Sequence, residues 1–185
     1  MGTLLAICSS NFFAIMSDGR LGEDENFSKV VKVTGNWAGG IIANEETTKY
    51  IIEEINKRPA YKDLPLERLL VKLSNTLKKL PQTQEPIHFY LGGNQKGQGF
   101  SLNILSTENN YEPRAFIPPE GGFEVKMCIP EIENGENILN DLILSKLPPT
   151  GTEKLAADMH DFIKAIAEKS DKSNSNSYQE FVFPW

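Results

Sequence analysis

The sequence predicts an α+β protein in which two mainly antiparallel sheets are stacked and each outer face carries a pair of helices, a four-layer αββα sandwich. Three observations lead there. The chain opens with two apolar runs, Leu4 to Cys8 and Phe12 to Met16, around a Ser9-Ser10-Asn11 turn, the pattern of a β-hairpin. Both runs are nearly continuous rather than alternating, so both faces of these strands should be covered. The remaining segments then read as strands, two helices, strands, two helices and a strand, an order in which helix pairs interrupt one set of strands.

Each element has its own warrant. Lys29 to Val33 reads as a third strand, Gly35-Asn36 as a turn and Trp37 to Ala43 as a fourth strand. Asn44 suits a helix N-cap, with Glu45 and Glu46 in the first turn where the helix dipole favours acid. Tyr50, Ile51, Ile52 and Ile55 form the apolar stripe of that helix, and Pro59 ends it. In LPLERLLVKLSNTLKKL, Pro65 suits the first turn of a second helix. Leu66, Leu69, Leu70, Leu73 and Leu77 make its apolar face, and Lys78-Lys79 lie at its C-terminal end. IHFYLGGNQKGQGFSLNILS reads as a hairpin turning in GGNQKGQG, and YEPRAFIPP and GGFEVKMCIP as further short strands with Pro at their ends. Asn137 to Leu147 and Glu153 to Lys169 are the last two helices. The first carries Ile138, Leu139, Leu142 and Ile143, the second Leu155, Ala156, Met159, Phe162, Ile163 and Ile166. The polar stretch SDKSNSNSYQE reads as a loop, and FVFPW as the closing strand.

Composition narrows the function classes. Residues 1–185 read as one domain, with 39% hydrophobic and 24% charged residues, as in ordinary globular proteins. A net charge of −6 without any Lys/Arg cluster argues against nucleic acid or an anionic membrane as partner. The longest apolar stretch is far below the roughly 20 residues that span a bilayer. The apolar N-terminal stretch lacks a basic segment ahead of it and is broken by CSSN, unlike a secretory signal. Cys8 and Cys128, in apolar surroundings, read as buried thiols of a reducing compartment, so a cytoplasmic location is expected. His88 and His160 have no ligand spacing with either cysteine, so neither a metal site nor a cofactor is expected. LGGNQKGQG lacks the GK[ST] ending of a phosphate loop and leads into no helix.

Several segments taken together carry a resemblance: GTLLAICSSNFFAIMSDGR, SKVVKV, GGIIANEE at the start of the first helix, FYLGGNQKGQGFSLNIL, and the last helix with its following loop. In joint order and spacing the chain resembles the proteasome β-type subunits and related ring proteases of the N-terminal-nucleophile hydrolases. The resemblance implies a peptidase chemistry. An N-terminal Thr hydroxyl attacks an amide carbonyl while its own α-amine takes the proton. A lysine held by acids supports the attack, and a backbone N–H before the first long helix stabilises the oxyanion.

Carried over residue by residue, the strand-end acid falls on Asp18, the lysine on Lys29, the oxyanion position on Ala43 and the second acid on Asp171. The hydroxyl that accompanies this second acid in the family falls on Asn174. The nucleophile position falls on Gly2, with Thr3 after it, and glycine has no side chain to attack with. Where the family has a small-residue loop whose Ser contacts the terminal amine, this chain has PEIENGEN, with Glu131, Glu133 and Glu136. The resemblance therefore implies a proteasome-like protein without peptidase activity that binds or assembles, as a homo-oligomer. The alternative is an active threonine peptidase of a self-compartmentalising protease, acting on a peptide or protein substrate through Thr3 with Asp18, Lys29 and Asp171 in support. A third reading, an assembly partner resembling proteasome α subunits, lacks the helix expected ahead of the first strand.

Overall fold

The computed structural model describes residues 2–57, 61, 64–81, 85–95 and 98–182. It is mixed α+β, with two antiparallel sheets and four α-helices among those residues. The strands are β1 (Leu4–Ser9), β2 (Phe13–Asp18), β3 (Val30–Lys32), β4 (Trp37–Ile42), β5 (His88–Gln95), β6 (Gly99–Ser106), β7 (Arg114–Phe116), β8 (Phe123–Cys128) and β9 (Ser177–Val182). The helices are α1 (Glu45–Lys57), α2 (Leu66–Leu77), α3 (Gly135–Leu142) and α4 (Thr152–Ala167). One sheet has the order β8-β1-β2-β9 and the other β3-β4-β5-β6-β7.

Strand alternation divides the apolar residues among three cores. From β1, Leu4, Ala6 and Cys8 point one way and Leu5 and Ile7 the other, while β2 divides Phe13 and Ile15 from Ala14 and Met16. The first set packs with Ala38, Ile42, Tyr90 and Leu102 of the five-stranded sheet, and the second with Leu155, Met159, Phe162 and Ile166 of α4. Every residue of β1 and β2 is buried, so the covering of both faces expected from their unbroken apolar runs is present. The third core joins Ile51, Ile52 and Ile55 of α1 and Leu69, Leu70 and Leu73 of α2 to Trp37, Ile41, Phe89 and Leu91.

Two glycines set how closely the sheets approach. A Cβ on Gly40 would stand 2.6 Å from Leu4 Cδ1 and 2.7 Å from Ile15 Cδ1, and one on Gly92 would fall within the Phe13 ring. The flanks of the two sheets are tied by charge. Phe116 of β7 lies under the Lys126 ammonium of β8, 4.2 Å from the ring centroid, with Arg114 Cζ 5.3 Å from the same centroid. On the other flank Lys32 of β3 donates to Glu180 of β9 at 3.3 Å.

Some expectations are corrected. Tyr50 is 46% exposed and belongs to the outer face of α1, because Ile51, Ile52 and Ile55 suffice to fill the inner one. The third strand is shorter than expected and starts at Val30, leaving Lys29 just before it. α3 runs from Gly135 rather than Asn137 and stops at Leu142, where Ile143 leaves helical geometry and a 3-10 turn, Leu144–Lys146, follows. The last strand begins inside the polar stretch, at Ser177. As an edge strand pairing only with β2 it tolerates polar residues on its open side. Pro59, the turn residues Lys96 and Gly97, and the end of FVFPW lie outside the described residues.

Gly92→Ala is expected to lower the unfolding free energy by about 1–3 kcal/mol through overpacking against Phe13. Urea titrations check this, and adding Phe13→Leu to Gly92→Ala should recover part of the loss.

Candidate functional site

The site forms where β1 begins, β2 ends and β3 begins. Asp18 is the last residue of β2, and pairing of β1 with β2 sets it beside Thr3, whose carbonyl accepts the Asp18 N–H at 3.0 Å. Lys29 is held just before β3 by its own carbonyl, which accepts the Ile41 N–H at 3.1 Å. These backbone constraints direct two opposite charges into one buried spot.

There Lys29 Nζ makes a short ion pair with Asp18 Oδ1 and donates to the Arg20 carbonyl at 2.9 Å. The Thr3 N–H donates to Asp18 Oδ1 at 2.9 Å and the Asn174 N–H to Oδ2 at 3.3 Å. The carboxylate is fully buried and its lysine nearly so, so both depend on these partners for the solvation they have lost. Burial pushes the Lys29 pKa below its ordinary value of 10.5, and the Asp18 charge opposes that shift.

Gly2 stands directly over this pair. A Cβ built on it would lie 2.7 Å from Asp18 Oδ1 and closer still to the Lys29 ammonium. The volume a side chain at position 2 would use is therefore taken by the lysine head. Thr3 lies deeper. Its side chain is fully buried and its hydroxyl is 2.9 Å from Ser173 Oγ.

A tight turn after α4 presents alternate residues to opposite sides. The Ser170 hydroxyl accepts the Lys172 N–H at 3.2 Å and the Ser170 carbonyl the Ser173 N–H at 3.3 Å, which turns Ser173 inward and leaves Asp171 exposed. Asn174 then ties this turn down: its Oδ1 accepts the Gly19 N–H at 3.1 Å and its Nδ2 donates to the Glu25 carbonyl at 3.0 Å.

An open cavity of about 310 Å³ lies in front, lined by Gly2, Lys29, Ala43 and Asp171 among others. The structure thus brings four of the six sequence-selected positions to one surface, with Asp18 and Thr3 buried behind them. Ala43 lies between β4 and α1, and its neighbour Asn44 caps α1 by accepting the Thr47 N–H at 2.9 Å. Arg20, Lys29 and Lys172 face Glu45, Glu85 and Asp171 across this cavity. Among the described residues lining it, none carries a hydroxyl or a thiol.

Three features escape the sequence reading. The hydroxyl of the last loop that reaches the site is that of Ser173, which the turn closed by the Ser170 carbonyl directs inward, and not position 174. The Arg20 carbonyl, a backbone ligand of Lys29, has no side-chain signature. Glu85 and Lys172 come from segments far apart in sequence, just before β5 and between α4 and β9. Neither cysteine forms a disulfide. The buried Cys8 thiol is pushed up to about 12 by burial and then by Glu124. Among the described residues no group of three His, Cys, Asp or Glu could hold a metal ion, and no helix is long and apolar enough to cross a membrane.

Compared with known proteins, the chain matches no protein-family model and no curated sequence.

Asp18→Ala should cost about 3–5 kcal/mol in chemical denaturation, since it strands a buried ammonium, and Lys29→Met less, since Asp18 keeps two N–H donors. Because the folded-state pKa of Lys29 is lowered, the unfolded chain binds more protons between that value and 10.5. Wild-type stability should therefore rise relative to Lys29→Met as pH climbs through that window. Denaturation midpoints of both proteins at alkaline pH check the sign.

Proposed function

We propose that the chain has the N-terminal-nucleophile hydrolase fold of proteasome β-type subunits, a four-layer αββα sandwich, and that it binds or assembles without cleaving peptides. Three cores, in the order helix pair with sheet, sheet with sheet and sheet with helix pair, support the fold. The observation that carries the functional reading is Gly2 at the head of the site, with the Lys29 ammonium in the space its side chain would need. Amide hydrolysis at such a centre requires a hydroxyl beside a free amine. Here the lysine and its acid are paired, and among the described residues no hydroxyl or thiol borders the cavity. The Lys29–Asp18 pair then serves to tie the end of β2 to the start of β3, with the Thr3 N–H bringing the start of β1 to the same carboxylate.

The competing reading, a threonine peptidase acting through Thr3, draws on the closeness of Thr3 to Asp18. It requires the Thr3 hydroxyl to leave Ser173 and become exposed, and the Thr3 nitrogen, an amide here, to become a free amine. Assembly into a ring of like chains is the arrangement the resemblance implies, and sedimentation reads it directly.

Incubation with a threonine-directed epoxyketone is expected to leave the intact mass unchanged, and fluorogenic peptides to remain uncut. Gly2→Thr should also be inactive and less stable by about 1–3 kcal/mol, because the added side chain displaces Lys29 from Asp18. Peptide cleavage abolished by Thr3→Ala would overturn the reading.

A further inference from the structure

Lys29 has chemistry beyond its ion pair. A lysine amine is a nucleophile once it loses its proton, and shielding from water makes that loss easier. Burial pushes the Lys29 pKa below 10.5 in this way, with the Asp18 charge opposing it. The Lys29 side chain is only 3% exposed, yet Lys29 and Gly2 both line the open cavity of about 310 Å³.

The surroundings give the amine a direction. A neutral amine carries two N–H bonds and one lone pair at tetrahedral corners. Lys29 Nζ has two acceptors among the described residues, Asp18 Oδ1 and, at 2.9 Å, the Arg20 carbonyl. Two N–H bonds meet these two acceptors, and the lone pair takes a remaining corner. Gly2 stands against the nitrogen, where a Cβ would collide with it, so glycine leaves Nζ uncovered on that side. Among the described residues lining the cavity no hydroxyl or thiol competes, and the other lysine there, Lys172, is exposed.

We propose that Lys29 is a covalent attachment point for a small uncharged aldehyde, held as an imine in the cavity in front of Gly2. The class follows from the walls. Arg20, Lys29 and Lys172 balance Glu45, Glu85 and Asp171, which favours neither sign of charge. An aldehyde carbon bears one hydrogen and one substituent, less bulk than a ketone brings to a nitrogen so nearly buried. An ester would leave an amide on Lys29 and strand the Asp18 carboxylate, whereas a protonated imine keeps the positive charge beside it.

The step balances without an oxidant or reductant. Asp18 takes a proton from the ammonium, and the freed lone pair forms a C–N bond as the C=O π pair moves to oxygen. One N–H proton passes to that oxygen. The C–O bond then breaks as the nitrogen lone pair forms C=N, and the hydroxyl leaves as water with the proton from Asp18. Ammonium and aldehyde have become iminium and water.

The test incubates the whole protein with propanal and sodium cyanoborohydride, which reduces an imine to a stable propylamine, and maps the modified sites by peptide mass. Lys29 is expected to be modified at least about 10-fold faster than Lys172, and the ratio to fall to about one in urea. Lys29→Arg, which keeps a cation for Asp18, should lose that modification and no other. Should this variant fail to fold, the wild-type ratio alone decides. Lys29 reacting no faster than Lys172, a different amine reacting first, or a preference that survives urea overturns the proposal. A mass gain that persists through gel filtration without cyanoborohydride overturns the imine. Trapping involves no peptide bond, so its failure leaves the non-cleaving reading standing, and cleavage of a peptide would overturn that reading alone.

Discussion

The structure depends most on one buried ion pair, Asp18 with Lys29. Two charges removed from water lose several kcal/mol of hydration each, and attraction alone rarely returns it. The surroundings supply the difference: the amide of Thr3, the amide of Asn174 and the carbonyl of Arg20 each contribute a hydrogen bond to one member of the pair. Those groups come from the start of β1, the end of β2 and the loop after α4. The pair is therefore the point at which chain segments more than 150 residues apart in sequence are held together.

What the pair supports is a site with two opposite charges buried together and glycine standing over them. In a functioning centre of the kind the chain resembles, a lysine beside the terminal residue matters because a hydroxyl there has a proton to lose. Here the space that a side chain at position 2 would need holds the lysine head, and the pair ties the end of β2 to the residue before β3. A cavity remains open in front of it, lined by Arg20, Lys29 and Lys172 and by Glu45, Glu85 and Asp171.

Much of this was legible in the sequence because the signals were local. Unbroken apolar runs at Leu4 to Cys8 and Phe12 to Met16 announce strands covered on both faces, and Asn44 ahead of two glutamates announces a helix start. The grouping of Gly2, Lys29, Ala43 and Asp171 on one surface was reachable only through the resemblance, since these positions lie in four separate segments. What escaped was set by tertiary context. Ser177 to Glu180 is polar yet forms a strand, because β2 offers it an edge. Tyr50 fits the helical stripe by spacing, yet faces water because the isoleucines beside it fill the interior. Ser173 reaches Thr3 through a turn whose reversal no residue type advertises.

The charged ties along the sheet flanks constrain how copies of this molecule could meet. Open strands are the usual route by which β-proteins join edge to edge, since their unpaired N–H and C=O groups accept a further strand. Here β7 and β8 carry Arg114 and Lys126 against Phe116, and β3 and β9 carry Lys32 against Glu180. A neighbour adding a strand at either rim would have to dehydrate or displace those side chains. Edge-to-edge growth of either sheet would therefore act against these charged contacts at both rims.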